Sequence, residues 1–289
     1  MRYHQLRAAG ERRLTVENGA ATYDLTSADS GPRTFDELAR AASLTRSTVD
    51  DLADVLIEDA ETITDEEVSE HATVPVDAAE VWAAGVTYQI SEKAREEESS
   101  MPDIYLDVYD AERPEIFFKA TPSRMVGPGE AVGIRSDSEW DTPEPELGVV
   151  LREGEIVGYT IGNDVSSRSI EGKNPLYLPQ AKVYDRCCAL GPCVVSCESI
   201  DDPHDLDMSM EIYRDGDVVY EGETNTGEMV RTCEELVSYF TRHNAVPEFA
   251  VVLTGTSLVP ESPFDLQAED RVEIDIEGIG TLTNPVTRV

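Results

Sequence analysis

Between Trp140 and Asp164 the chain reads WDTPEPELGVVLREGEIVGYTIGND. Two apolar runs, ELGVVL and IVGYTIG, flank the turn-like REGE, which is the pattern of a β-hairpin. Glu144 and Asp164 each lie ten residues from Gly154, so antiparallel pairing about that glycine sets Glu144 opposite Asp164. Glu146, two positions from Glu144, shares its face. Three carboxylates then meet at the open end of one hairpin. Two readings stay open at this point. Acidic residues are abundant in the chain, and most such pairs are solvated. Alternatively the three are buried together, which is costly without a cation. Oxygen donors alone, with no His or Cys beside them, suit a hard ion such as Mg²⁺ or Ca²⁺.

The abundance of acid is itself informative. Asp and Glu number 59 against 23 Lys and Arg, a net charge of −36 spread along the whole chain. A folded surface of this kind repels nucleic acid and anionic membranes, and it repels itself unless salt screens it. The pattern resembles cytoplasmic proteins of salt-loving archaea. Only four lysines survive in it, Lys93, Lys119, Lys173 and Lys182, so each needs a reason. The five cysteines are odd in number and four crowd into residues 187–197, which suits free thiols in a reducing cytosol. Their spacing is not that of a zinc site. The N-terminus carries no apolar export signal and no run approaches 18 apolar residues, so a cytoplasmic protein is expected.

Taken in order, residues 1–25 read as a small hairpin about Asn18-Gly19. Thr34 opens T-F-D-E, a capping box with Glu37, and a second helix starts near Ser47. Residues 61–75 read as a linker or an edge strand. Residues 1–73 are thus expected to form a small α+β domain and 74–289 a second, larger one. In the latter, SEKAREEES reads as a polar helix, either a lid over a site or a solvated surface helix. FFKA is a short strand. The loop-rich stretch after Asp164 gathers Arg168, Lys173, Gln180, Lys182 and Arg186, and its NPLYLP is too interrupted by proline for a regular element. A hairpin about Asp215-Gly216, a helix TCEELVSYFTRH and a buried strand FAVVL ending in Thr254-Gly255-Thr256 follow. Short strands dominate, so the fold class is α+β, β-rich, a roll rather than a doubly wound sheet.

FFKATPSRMVGPGE, DTPEPELGVVL, GYTIGNDVSSR, QAKVYDRCCALGP, LTGT and GIGTLTNPV occur in this order. Together these six motifs resemble the fumarylacetoacetate hydrolase family over about residues 80–289. Within it, YDAERPEIFFKATPSR, RSDSEWDTPEPELGVVL and NPLYLPQAK look most like the 2-keto-3-deoxy-D-arabinonate (pentonate) dehydratases of archaeal pentose oxidation, as do the first ~70 residues. The resemblance implies a β-roll of the fumarylacetoacetate hydrolase type with a small N-terminal α+β domain. It implies Mg²⁺, for which Ca²⁺ or Mn²⁺ can substitute, held by Glu144, Glu146 and Asp164. Lys182 matches the active-site lysine, and Thr283 a position that contacts the substrate carboxylate. Tyr88, Glu115, Lys119, Arg168 and Gln180 fall at or near active-site positions. The substrate class is a small 2-oxo acid, and a homo-oligomer, dimer or tetramer, is expected.

One departure carries weight. Hydrolytic members have a His a few residues after the Tyr at the strand end. Here QISEKAREE follows Tyr88, with Ser91 at about that place. Without that base, C–C hydrolysis lacks its water activator, while enolisation of a 2-oxo acid does not need one. Lys182 is the expected base, freed by a neighbouring dication, and Glu115 the expected acid. The expected reaction is dehydration of a 2-keto-3-deoxypentonate, arabinonate- or xylonate-derived, to 2,5-dioxopentanoate. The rivals are an acylpyruvate hydrolase or oxaloacetate decarboxylase of the same family and, outside the class, a non-catalytic acidic cation-binding protein. The last predicts a shallow, solvated carboxylate cluster with no lysine beside it.

Overall fold

The computed structural model describes residues 1–88, 108–109 and 111–289. The chain begins with β1 (Arg2–Ala8), β2 (Glu11–Asn18) and β3 (Ala21–Asp24), an antiparallel meander. The β2–β3 turn falls at Gly19 as the Asn-Gly pair predicts; the β1–β2 turn at Ala9-Gly10 has no such signature. Helix α1 (Phe35–Thr45) is capped by the Thr34 hydroxyl, which accepts from Glu37 N at 3.1 Å. The Glu37 carboxylate reaches back to Arg33 N, one residue earlier than a regular capping box. Helix α2 (Val49–Ile57) has the full reciprocal box between Thr48 and Asp51. The segment expected to be a linker or an edge strand contains both an edge strand, β4 (Glu61–Ile63), and a helix, α3 (Asp65–His71), which Thr64 caps.

Strands β5 (Glu80–Gly85), β6 (Glu115–Ala120), β7 (Met125–Val126), β8 (Val132–Ile134) and β9 (Asp141–Thr142) lead to the central hairpin, β10 (Pro145–Arg152) and β11 (Glu155–Asp164). After it come β12 (Ser166–Ser167), helices α4 (Arg168–Glu171) and α5 (Leu178–Lys182), and β13 (Cys188–Ser196). Helix α5 corrects the expectation of an irregular NPLYLP: Pro179 sits in the first turn, where no backbone N–H is needed. The chain closes with β14 (Asp207–Arg214), β15 (Asp217–Asn225), α6 (Cys233–Thr241), β16 (Phe249–Leu253), β17 (Arg271–Ile276) and β18 (Gly280–Arg288). The polar SEKAREEES stretch lies outside the described residues.

One sheet of eleven strands runs β4-β3-β2-β1-β13-β11-β10-β16-β5-β6, with β7 beside β13. A five-stranded sheet, β15-β14-β17-β18-β8, and the pair β12-β9 complete the strand-rich fold. The sheet crosses the boundary expected at residues 73–74, because β1 pairs with β13 through Arg2↔Val195 and Tyr3↔Val194. A division of the chain there stays a proposal.

Central β10 is buried on both faces, and alternation divides its side chains. Leu147, Val149 and Leu151 join Met210, Ile212 and Ile274 in one core. Val150 joins Phe35, Leu38 and Val251 in the other, so the N-terminal helices cover the second face. Glu144 and Glu146 fall on the Val150 face by parity. Burial thus comes from both sides of the same strand. All five cysteines are free, and four of them are buried in these cores. Among the described residues no helix is long and apolar enough to cross a membrane.

Candidate active site and metal centre

The site is set by the register of the β10–β11 hairpin. Its turn is Glu153-Gly154, with φ of 51° and 86°, both in the left-handed region that a two-residue type I′ turn demands. Arg152 pairs with Glu155 and Leu151 with Ile156, but Val150 pairs with Gly158. Val157 is therefore a bulge residue on β11. Beyond it the pairing is Glu146↔Gly162 and Pro145↔Asn163, and Asp164 N donates to Glu144 O at 2.9 Å. Glu144 stands opposite Asp164, as symmetry about Gly154 predicts.

Glu144, Glu146 and Asp164 each offer an oxygen within 4.8 Å of the others, and they are 7%, 1% and 0% exposed. The shallow, solvated cluster of the non-catalytic alternative is not what is seen. Burial first, then the Asp164 and Glu144 charges, push the Glu146 carboxyl well above its usual range; a hydrogen bond from Gly255 N at 2.7 Å pulls it back. Glu144 goes the other way, down to about 2. Burial opposes this, but Lys182 and Arg168 outweigh it. An all-carboxylate set with one member forced toward neutrality by its neighbours fits a divalent hard cation such as Mg²⁺.

Cationic side chains frame the acids. Lys182, at the end of α5, donates to Glu144 Oε2 at 2.7 Å and to Asp164 Oδ2 at 3.2 Å. Burial alone lowers its pKa, but Asp164, Glu144 and Glu171 together raise it, so on these contacts it is an ammonium ion. Arg168 lies 3.3 Å from Glu144 Oε1. Lys119 is placed differently from the substrate contact expected of it. It is fully buried behind Asp164, ion-paired with Oδ1, and donates to Val165 O at 2.9 Å and Lys182 O at 2.6 Å. With three protons so engaged, it ties the metal-site strand to the lysine helix.

Glu115, on β6, is the acid with the most useful titration. Burial, followed by the charge of Glu171, pushes it up to about 7, against the pull of Lys182. Gly85 makes room for it: a Cβ there would stand 2.0 Å from Glu115 Oε2. Tyr88 is fully buried, and burial and the charge of Glu146 raise its phenol pKa. Two further expected substrate contacts make no contact with the three acids that the structure records. Gln180 is exposed on α5, and Thr283 is half-buried on β18, where its carbonyl accepts from Gly129 N. Of the basic stretch after Asp164, Arg168 and Lys182 reach the acids; Lys173 is exposed and Arg186 donates to Ala131 O. Ser91 lies outside the described residues.

Two participants escaped the sequence reading. Gly255, in the small-residue loop after β16, holds Glu146 through its backbone N–H. Its φ is +81°, and a Cβ would stand 2.2 Å from Thr87 Oγ1, which itself donates to Thr254 O. LTGT is the visible signal for it. Glu171, at the end of α4, had no distinguishing signal among so many acids.

Residues 80–287 match the family model described as fumarylacetoacetate (FAA) hydrolase C-terminal. The chain belongs to the fumarylacetoacetate hydrolase family. Family members resemble it over its whole length: it is 72% identical over 289 residues, all of both chains, to a probable 2-keto-3-deoxyxylonate dehydratase of Haloferax volcanii. It is 50% identical over 221 residues, 75% of this chain and 74% of the relative, to a 2-dehydro-3-deoxy-D-arabinonate dehydratase of Saccharolobus solfataricus. Among solved structures, a 2-keto-3-deoxy-D-arabinonate dehydratase complexed with magnesium and 2,5-dioxopentanoate superposes with a TM-score of 0.85. It has 38% identity, with 100% of this chain and 99% of the other covered.

Proposed function

We propose that the protein is a Mg²⁺-dependent hydro-lyase that converts a 2-keto-3-deoxypentonate into 2,5-dioxopentanoate in oxidative pentose breakdown. The observation that carries this reading is the juxtaposition of three buried carboxylates with Lys182 on one side and a protonatable Glu115 nearby. The names of the relatives point the same way. Glu144, Glu146 and Asp164 would hold the ion. An ion bound there would supply Lewis acidity to the 2-oxo group of the substrate, which would acidify the neighbouring C3–H.

The remaining work falls to the protein's own side chains. Lys182 takes the C3 proton; once its carboxylate partners are otherwise engaged, it loses what holds it charged. Glu115, protonated near neutral pH, gives its proton to the departing C4 hydroxyl. Lys119 and Gly255 keep Asp164 and Glu146 in position. Tyr88, three residues past the end of β5, and Arg168 on α4 are the side chains this reading assigns to substrate contact. The C4 carbon becomes trigonal in this reaction, so 2-keto-3-deoxypentonates of either C4 configuration lead to one product.

In the same reading the enzyme works in the cytoplasm of a salt-loving archaeon, as a homo-oligomer. The net charge of −36 and the Haloferax relative support the first part. The test is direct. Protein purified in molar salt with Mg²⁺ should turn 2-keto-3-deoxy-D-arabinonate or its C4 enantiomer into 2,5-dioxopentanoate, followed by NMR. Failure on both enantiomers, with Mg²⁺ bound, would sink the dehydratase reading.

A further inference from the structure

Loss of water across C3 and C4 does not by itself give the product of the proposed reaction. It leaves 5-hydroxy-2-oxopent-3-enoate, a conjugated enone. To reach 2,5-dioxopentanoate, C5 must lose a proton while C3 regains one, and then O5 must lose a proton while C4 gains one. Lys182 and Glu115 account for C3 and for the leaving hydroxyl. A base at the C5 end is still required.

The structure offers one. Glu171 ends α4, held there by Gly172 N on Arg168 O at 2.9 Å and by Asn174 N on its own carbonyl at 3.2 Å. Its side chain is 8% exposed, and Oε2 has no hydrogen-bond partner. A buried carboxylate oxygen without a donor is costly, and in a chain that keeps most of its acids in solvent it needs a reason. It lines a cavity of about 300 Å³ together with Glu115 and Arg113, among Val86, Pro114, Pro175 and Leu178. Glu115 feels the charges of Glu171, Lys182, Glu144 and Asp164, and it lines this cavity beside Glu171. A five-carbon acid held by its C1–C2 end at the carboxylate triad and passing Glu115 at C4 would present C5 to this cavity.

Resting on the dehydratase reading above, we propose that Glu171 is the second acid–base group of the reaction, the one that moves a proton from C5 to C4. The protons balance. Lys182 takes one from C3 and returns it there. Glu115 gives one to the C4 hydroxyl, which leaves as water, and regains one from O5. Glu171 takes one from C5 as the C3=C4 double bond moves to C4=C5, then gives it to C4 as the enol becomes the aldehyde. The net change is loss of one water.

The test compares wild type with Glu171→Gln on a 2-keto-3-deoxypentonate and on 4-hydroxy-2-oxopentanoate, which has no C5 hydroxyl and ends at the enone. Ultraviolet absorbance reads the enone and NMR reads 2,5-dioxopentanoate; thermal unfolding and Mg²⁺ titration confirm that the variant is folded. The expected result is a loss of dioxopentanoate formation of about 100-fold or more with enone accumulating, and a far smaller loss on the analogue. Wild-type rates of dioxopentanoate formation in Glu171→Gln would overturn the inference and leave Glu115 to serve both ends. Equal losses on both substrates without enone would overturn it in favour of a structural role. A wild type inactive on both substrates would instead sink the dehydratase reading, and the inference with it.

Discussion

At one end of the β10–β11 hairpin Glu153 and Glu155 stand in solvent; at the other Glu144, Glu146 and Asp164 are buried. The residue types are the same and the strands are continuous. At the turn, Glu153 meets Arg152 at 3.3 Å with its own side chain 65% exposed, a geometry worth a few tenths of a kcal/mol at most in salt. At the open end the acids are desolvated and held: Lys182 on two of them, Lys119 on Asp164, Arg168 on Glu144, and on Glu146 a backbone N–H, that of Gly255. What separates the two ends is the sheet around them. The turn lies where β16 only begins, with Glu153 N on Glu248 O and its side chain in solvent, whereas the open end is covered by β6, α5 and the loop after β16. Acid is abundant in this chain, but only where tertiary cover excludes water does it become chemistry.

The contrast predicts opposite signs for function and stability at the buried end. Glu146 is the carboxyl that burial and its neighbours most disfavour as an anion. Glu146→Gln should cost several kcal/mol of catalysis, on the order of 10³-fold in turnover, and abolish stabilisation by Mg²⁺. Yet thermal unfolding of the metal-free protein should be unchanged or shifted upward, because a like charge has been removed. A metal-free variant that unfolds more readily than wild type would show that Glu146 is structural, as Glu153 is not.

Lys119 should behave the other way. Removing one partner of a buried ion pair strands the other, so Lys119→Met should destabilise the metal-free protein by about 3–5 kcal/mol. Mg²⁺ should restore part of the loss by supplying a counter-charge to Asp164. Denaturant unfolding with and without Mg²⁺ measures both. An equal loss in both conditions would mean that Lys119 acts by packing alone.

A third effect is smaller and depends on pH. Glu115 is pushed up to about 7 and acts in its protonated form, so the rate should be full below that value and fall about tenfold per pH unit above it. Because Glu171 is the largest charged contributor to that shift, Glu171→Gln should move the falling limb to lower pH. A limb that stays in place in this variant, or rises with pH in wild type, would remove Glu115 as the acid.

The two ends also differ in how well the sequence announces them. Symmetry about Gly154 predicts Glu144 opposite Asp164, and the pairing agrees for a reason no sequence pattern displays. The turn is centred between Glu153 and Gly154, half a residue off, and the Val157 bulge restores the register. The capping residue Thr34 marked α1 well, since it acts on Glu37 three residues on; Thr48 and Thr232 cap α2 and α6 over the same span. Contacts between distant segments were less legible. The scarcity of lysine singled out Lys119, but its pairing with Asp164 spans strands that only the assembled sheet brings together. Glu171 was invisible for a plain reason: a buried acid and a solvated one are spelled the same way.

The smallest prediction concerns the turn itself. Glu153→Gln removes the charge facing Arg152 and keeps the shape, and Gln tolerates the left-handed φ of 51° about as well as Glu. Stability should change by less than about 0.5 kcal/mol, and turnover not at all. The same substitution chemistry at Glu146 is predicted to abolish metal binding. Measured side by side in molar salt, the pair isolates what burial does to a carboxylate with strand, turn and residue type held nearly constant. Should Glu153→Gln lower stability by more than about 1 kcal/mol, the exposed pair would be contributing beyond ordinary surface ion pairs. The line drawn between the two ends would then have to move toward the turn.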